Sequence, residues 1–329
     1  MMQRRTFIAA SIGTLAAGAA AASDGVPRAG ALHTGAALAF GTTVSVSVLH
    51  PDPRQADLAI ADALHEVQRV DALMSLYRDS SQVARLNRDG VLERPDPHLL
   101  ALLAHARALS QLTRGAFDIT VQPLWRSYRD AAQAGELPTP AARGAALTCV
   151  GWARIEFDAV RVKLTRPGMA ITLNGLAQGY AADLALAAVR ARGVQNALLD
   201  TGEFIGAGSR DGRHPWMLGV PDPREPARIA AALPVRGRSV ATSGDYASAF
   251  TPDLVHHHIL DPATGASPRD LASVTVLAPT GIEADGLSTA FMVLGARTAH
   301  LLAARLPDVD LMTINKRGVV WKSAGFPSL

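Results

Sequence analysis

From Asn196 onward the chain breaks into short apolar segments, NALLD, WMLGV, SVATS, HHIL and SVTVL, separated by clusters of Gly, Pro and Asp. Segments of that length between turn residues read as β-strands. No helical stretch alternates regularly with them, which excludes a doubly wound parallel sheet. Upstream, residues 42 to 49 alternate with Val44, Val46 and Val48 on one face, the period of a half-buried strand. The expected architecture is α+β: mixed, mostly antiparallel sheets with flanking helices.

Helices are expected where the apolar period changes. Residues 55 to 74 bring Ile60, Leu64, Val67, Leu73 and Met74 to one face. Further helices are expected over 98 to 112, over 177 to 192 and over about 286 to 305. Pro123 argues against the helix over 98 to 112 continuing. RIEFDAVRVKL, residues 154 to 164, reads as a hairpin turning near Asp158 and Ala159, and a second hairpin closes the chain around 315 to 318. The Pro, Ala and Gly-rich stretch from about 130 to 147 reads as a flexible connection.

The first residues, MMQRRTFIAASIGTLAAGAAAAS, place Arg4 and Arg5 before an Ala-rich apolar run that ends in small residues. Residues 1–22 therefore read as a twin-arginine export signal and predict a periplasmic protein with no stable membrane insertion after cleavage. An ordinary secretory signal or an uncleaved anchor is the alternative, against which the run is short and weakly apolar for a membrane span. Cleavage removes two arginines and no acid from a net charge of +3, leaving a nearly neutral chain. That balance gives no basic stripe for nucleic acid. Cys149 is the one cysteine, so neither an internal disulfide nor a thiolate metal cluster is available.

Four stretches carry residues suited to chemistry. TLNGLAQGYAAD, residues 172 to 183, is a turn through Asn174 and Gly175 into a helix, either a structural turn or a set of helix N–H donors for an anion. IEADGLSTAF, residues 282 to 291, sets Asp285 and Thr289 four apart on one helical face. Those oxygens suit Mg²⁺ beside a phosphate, or else an N-cap aspartate and a back-bonded threonine. SVATSGDYASAF, residues 239 to 250, ends a strand in short hydroxyls and glycine, fit for a polar pocket or for a turn. In DLVHHHILDPATGASP, residues 253 to 268, a strand would send His256 and His258 one way and His257 the other. With no HExxH and no matching carboxylate nearby, one histidine facing a pocket is favoured over a zinc site.

Nine segments in order resemble the FAD:protein FMN transferase (ApbE) family: GTTVSV, SLYRDSSQVARLN, GAFDITVQPL, LNGLAQGYAAD, DTGE, WMLGVPDP, SVATSGDY, HHILDPATG and EADGLSTAFMVLG. They run from Gly41 to Gly295. The resemblance implies one α+β domain over residues 38–329 that binds FAD as substrate and uses Mg²⁺ to split its pyrophosphate. FMN would pass to a Thr or Ser hydroxyl of an acceptor flavoprotein, and AMP would leave. By the same resemblance Mg²⁺ would be held by Asp285, Thr289 and the Gly175 carbonyl, and Tyr77 with Ala116, Phe117 and Asp118 would hold the flavin nucleotide. Ser243, Gly244 and Asp245 would line the phosphate and acceptor side. His258 would orient the phosphate or take the acceptor proton. Phe40 stands where the family commonly has methionine; Thr172, Asn174 and Gln178 stand where it often has aspartate, glycine and lysine. With fewer charges on the nucleotide, a periplasmic FAD-binding carrier without transferase activity is the alternative.

Overall fold

The computed structural model describes residues 30–327; the expected export signal lies outside them. Strand β1 (Ala31–Ala39) pairs antiparallel with β2 (Thr42–His50) through a two-residue turn at Phe40 and Gly41. Both turn residues have positive φ, 53° and 75°, which suits the right-handed twist of a tight hairpin. Glycine takes that conformation freely and phenylalanine does not. The Phe40 N–H donates to Asp71 Oδ1 at 3.0 Å, which holds the strained residue in place. Asp71 belongs to α1 (Pro53–Met74), capped by Asp52 and started by Pro53. Its Ala56, Ala59, Ile60, Ala63, Val67 and Val70 are buried.

The chain continues through α2 (Gln82–Asp89), β3 (Val91–Glu93), α3 (Pro97–Leu112), α4 (Gln122–Gln133) and α5 (Pro140–Thr148) to the hairpin β4 (Ile155–Phe157) and β5 (Arg161–Leu164). Then come α6 (Ala177–Ala191), β6 (Asn196–Asp200), β7 (Phe204–Ala207), β8 (Trp216–Pro221), β9 (Ile229–Val235) and β10 (Ser239–Gly244). β11 (Leu271–Ala278), α7 (Gly281–Ala303), β12 (Asp310–Asn315) and β13 (Val320–Lys322) complete it. Eight strands form one sheet in the order β1-β2-β6-β7-β10-β11-β12-β13, every neighbouring pair antiparallel. β3, β5 and β4 form a small second sheet, and β8 with β9 a two-stranded ribbon.

β11 is buried along all eight residues because both faces of the sheet are covered there. Val274 and Val276 pack toward the core that includes Ala284, Leu287 and Phe291 of α7 and Ala181, Ala182 and Ala185 of α6. Leu277, with Val240, Met312 and Ile314, packs against Trp216, Leu218, Leu233 and Val235 of the ribbon. α6 and α7 cross at Gly179 and Gly281, where a Cβ on either would run into the other's backbone carbonyl. That close approach brings the first turns of the two helices side by side.

Three expectations are corrected. The stretch from 130 to 147 holds the end of α4 and most of α5: Thr139 caps α5 by accepting from the Ala142 N–H, and Pro140 begins it. Pro123 likewise sits in the first turn of α4, where its missing N–H costs nothing. HHIL forms no strand; one isolated bridge, Ala249 to His257, is its sheet-like contact. Finally, α7 begins at Gly281 with Thr280 as N-cap, which places Asp285 inside the helix and removes the N-cap account of that residue. Among the described residues no helix is long and apolar enough to cross a membrane.

Candidate active site

A cavity of about 410 Å³ opens where the ends of these elements meet. Its walls are the Phe40 turn, Ala116 to Asp118 with Gln122 and Trp125, and Thr172, Asn174, Gly175 and Gln178 ahead of and on α6. Asp200, Gly202 and Glu203 between β6 and β7, the Thr242 to Gly244 end of β10, His258 to Leu260, and Asp285 and Thr289 of α7 close it. Tyr77 and Asp245 are not among the lining residues. Tyr77 is 72% exposed, on a loop tied to the Phe40 turn through Asp71, which also accepts from Arg78 at 3.1 Å. Asp245 is fully buried behind the Ser243 and Gly244 wall, where Arg224 grips it with two hydrogen bonds of 2.8 and 2.7 Å and Lys316 stands 3.3 Å away.

At the base of the cavity two distant chain segments meet. A Cβ on Gly175 would come 3.0 Å from Thr289 Oγ1, and one on Gly286 would lie 3.9 Å from the Gly175 carbonyl oxygen. Gly175 therefore sits against the face of α7 that carries Thr289. Asp285 Oδ2 accepts from the Gly179 N–H at 3.0 Å, and among the described residues its other oxygen has no donor. Thr289 Oγ1 lies 3.3 Å from Ser243 Oγ, itself 2.8 Å from Ser288 Oγ.

Burial pushes the Asp285 carboxyl up to about 7 against the pull of the Gly179 N–H, and the nearby Asp183 adds to the rise. Glu203 is pushed well above the usual carboxylate range, first by burial and then by the charge of Asp285. Its Oε2 accepts from the Thr242 N–H at 3.2 Å. Burial also raises Asp118 and Asp200. Asp118 remains tied to the protein: Oδ1 accepts from Thr120 N–H and hydroxyl, and Oδ2 from the Trp152 N–H at 2.9 Å. Buried carboxylates without fixed countercharge are stabilised by a bound cation or by a proton.

The donor set at the base fits a hard divalent cation: one under-satisfied carboxylate, one hydroxyl and one backbone carbonyl. Among the described residues no group of three His, Cys, Asp or Glu side chains could hold a metal. Mg²⁺ takes one or two carboxylates and completes its shell with water and substrate phosphate.

Of the three histidines, only His258 lines the cavity. His257 is fully buried and pushed down to about 4 by burial, and His256 stacks on Tyr128. The His258 Nδ1 is 3.1 Å from the Ser248 carbonyl. A carbonyl only accepts, so the neutral ring keeps its proton on Nδ1 and its lone pair on Nε2.

Gln178 lines the cavity with its side-chain amide nitrogen committed to the protein. Its Nε2 donates to the Thr201 carbonyl at 2.6 Å, and the Thr201 hydroxyl donates back to the Gln178 carbonyl at 3.0 Å. Asp200, Glu203 and Trp125 were not singled out from the sequence. The first two flank a glycine with φ of 97°, a turn that aims both acids at the cavity, and the DTGE tetrapeptide was the available signal.

A family model described as the ApbE family matches residues 40–313. A Treponema pallidum protein named FAD:protein FMN transferase is 30% identical over 318 residues, which cover 89% of this chain and 87% of the relative. A Salmonella typhimurium protein of the same name is 30% identical over 298 residues, 86% and 84% of the two chains. The crystal structure of the ApbE protein of Thermotoga maritima superimposes with a TM-score of 0.80 at 30% identity, over 89% of this chain and 97% of that one. The apo form of the Pseudomonas stutzeri flavinyl transferase ApbE gives 0.78 at 28% identity, over 89% and 95%. With the family model matching residues 40–313 and relatives and solved structures matched over most of both chains, the chain belongs to the ApbE family.

Proposed function

We propose that this protein is an FAD:protein FMN transferase that moves FMN from FAD to a threonine or serine hydroxyl of an acceptor protein and releases AMP. The observation that carries the reading is the meeting of the Gly175 turn with Asp285 and Thr289 at the base of a cavity large enough to take much of a dinucleotide. Relatives matched over most of their length bear that activity in their names. Residues 1–22 add the expectation that the enzyme works in the periplasm.

In this reading Asp285, Thr289 and the Gly175 carbonyl hold Mg²⁺, which when bound neutralises charge on the pyrophosphate as a Lewis acid. The protein's own groups do the rest. The acceptor hydroxyl oxygen attacks the phosphorus of the FMN half; the bond from that phosphorus to the bridging oxygen breaks, and AMP departs with the oxygen. His258 Nε2 takes the hydroxyl proton, its ring held by the Ser248 carbonyl so that the lone pair is on the correct nitrogen. Phe40, Phe117, Trp125 and Leu260 supply apolar wall for a ring system. Ser243 positions the Thr289 hydroxyl.

The test is incubation with FAD, Mg²⁺ and a threonine-bearing acceptor domain, followed by denaturing electrophoresis. Flavin fluorescence that survives denaturation is expected, with AMP released alongside. No covalent label under any divalent metal would overturn the proposal and leave an FAD carrier.

A further inference from the structure

The cavity is short of positive charge. Among the described residues no Lys or Arg lines it, while Asp118, Asp200, Glu203 and Asp285 do. Three basic residues behind its walls are engaged within the protein. Arg224 and Lys316 are committed to the buried Asp245, and Arg154 donates to the carbonyls of Thr148 and Val150.

At the helix N-termini, the usual neutral substitute for a cation at a phosphate, most of the first N–H groups beside the site donate to the protein itself. At the start of α6 the Ala177 N–H donates to Leu173 O, the Gly179 N–H to Asp285 and the Tyr180 N–H to Leu176 O. At the start of α7 the Gly281 and Ile282 N–H groups donate to the two carboxylate oxygens of Asp183, at 2.6 and 3.0 Å. Both helix ends that cross beside the site are thus capped by the protein's own carboxylates. Gln178, one residue into α6, turns its amide to Thr201.

A pyrophosphate carries two negative charges and enters a space already lined by acids. Without an added cation it gains no charge-assisted donor from a lysine or arginine side chain. A divalent cation meets the opposite situation: the protein offers it one carboxylate, one hydroxyl and one carbonyl, too few donors for tight binding until phosphate oxygens complete the shell.

We infer that this protein binds the dinucleotide and a divalent cation as one unit, each required for tight binding of the other, and that the neutral, internally bonded Gln178 sets that dependence. The inference rests on the reading of the cavity as an FAD site and goes beyond it, because a transferase can instead hold its nucleotide with its own lysines and arginines. Linkage requires that the factor by which the cation tightens FAD equal the factor by which FAD tightens the cation.

The experiment measures binding of FAD and of riboflavin, which lacks phosphate, to the EDTA-stripped full chain by stopped-flow flavin fluorescence, with EDTA and with millimolar Mg²⁺. FAD is expected to bind about 100-fold more tightly with Mg²⁺, and riboflavin to change by less than about 5-fold, the floor of ordinary coupling. Gln178→Lys is expected to tighten FAD at least about 10-fold in EDTA and to shrink the Mg²⁺ effect correspondingly. If that variant fails to fold, Asn174→Lys, at an exposed residue of the same wall, makes the same test. FAD binding that differs by less than about 5-fold between EDTA and Mg²⁺ would overturn the inference and leave the proposed function standing. Absence of FAD binding under every condition would overturn both.

Discussion

Replacing Gly179 by alanine tests the link between helix packing and the site. The added methyl would lie 2.8 Å from the Asp285 Cβ and closer still to the Gly281 carbonyl, a backbone group that cannot rotate away. α6 and α7 must therefore move apart, and the 3.0 Å bond from the Gly179 N–H to Asp285 lengthens with them. Overpacking of this kind costs about 1–3 kcal/mol, and loss of a hydrogen bond to a charged group about 1.5–3 kcal/mol. Alanine's better helix propensity returns about 1 kcal/mol. The net loss is about 1.5–5 kcal/mol, which for a domain of this size lowers Tm by about 2.5–8 °C.

Thermal unfolding followed by circular dichroism reads the shift, and Mg²⁺-dependent FAD binding should weaken in parallel. Gly144→Ala is the matched control: that glycine lies inside α5 with nothing within 4 Å of an added Cβ. It should gain about 0.5–1 kcal/mol. A Gly179→Ala protein melting within about 1 °C of the parent would refute the crossing described above, since the ledger predicts several times that.

Three other perturbations have definite signs. Asp285 has its folded carboxyl raised to about 7, so in metal-free protein the folded state holds a proton that the unfolded state has released; stability should fall as pH rises from about 4 to about 7 and then level, and urea titrations across that range check it. Asp245→Ala strands the Arg224 guanidinium and the Lys316 ammonium; because Arg224 is one-third exposed, the cost should be about 3 kcal/mol, the low end for a broken buried pair, read as a lower urea midpoint. His258→Ala should lower turnover about 10²–10⁴-fold with FAD affinity little changed, as expected for loss of a proton acceptor, and single-turnover kinetics separates the two.

Much of this fold was legible because its strands and helices have clean periods. Val44, Val46 and Val48 point inward as their alternation predicts, and α1 buries the stripe that the 3.6-residue period draws. β1 was missed because the face it turns toward α1 carries only His33, Gly35, Ala37 and Ala39, small or polar residues that give no apolar alternation in the sequence. α5 was missed because composition alone cannot distinguish an Ala and Pro-rich loop from a short capped helix, and its cap is a lone threonine. At the site, Gly175, Asp285 and Thr289 were readable as a set only through the family resemblance, since the Gly179 and Gly281 crossing that joins them is a tertiary contact. Asp245 looked like a pocket residue because it follows Ser243 and Gly244. Its burial depends on Arg224 and Lys316, which are far away in the chain. Gln178 likewise showed its type in the sequence and not its direction, which Thr201 decides.

The most direct test of the account is intact-mass spectrometry of a threonine-bearing acceptor after incubation with this protein, FAD and Mg²⁺, beside a matched reaction with Asp285→Asn. The account predicts an acceptor heavier by one FMN less one water, one AMP for each modified acceptor, and no adduct from the variant. An unmodified acceptor with FAD recovered intact, or equal labelling by the variant, would contradict it.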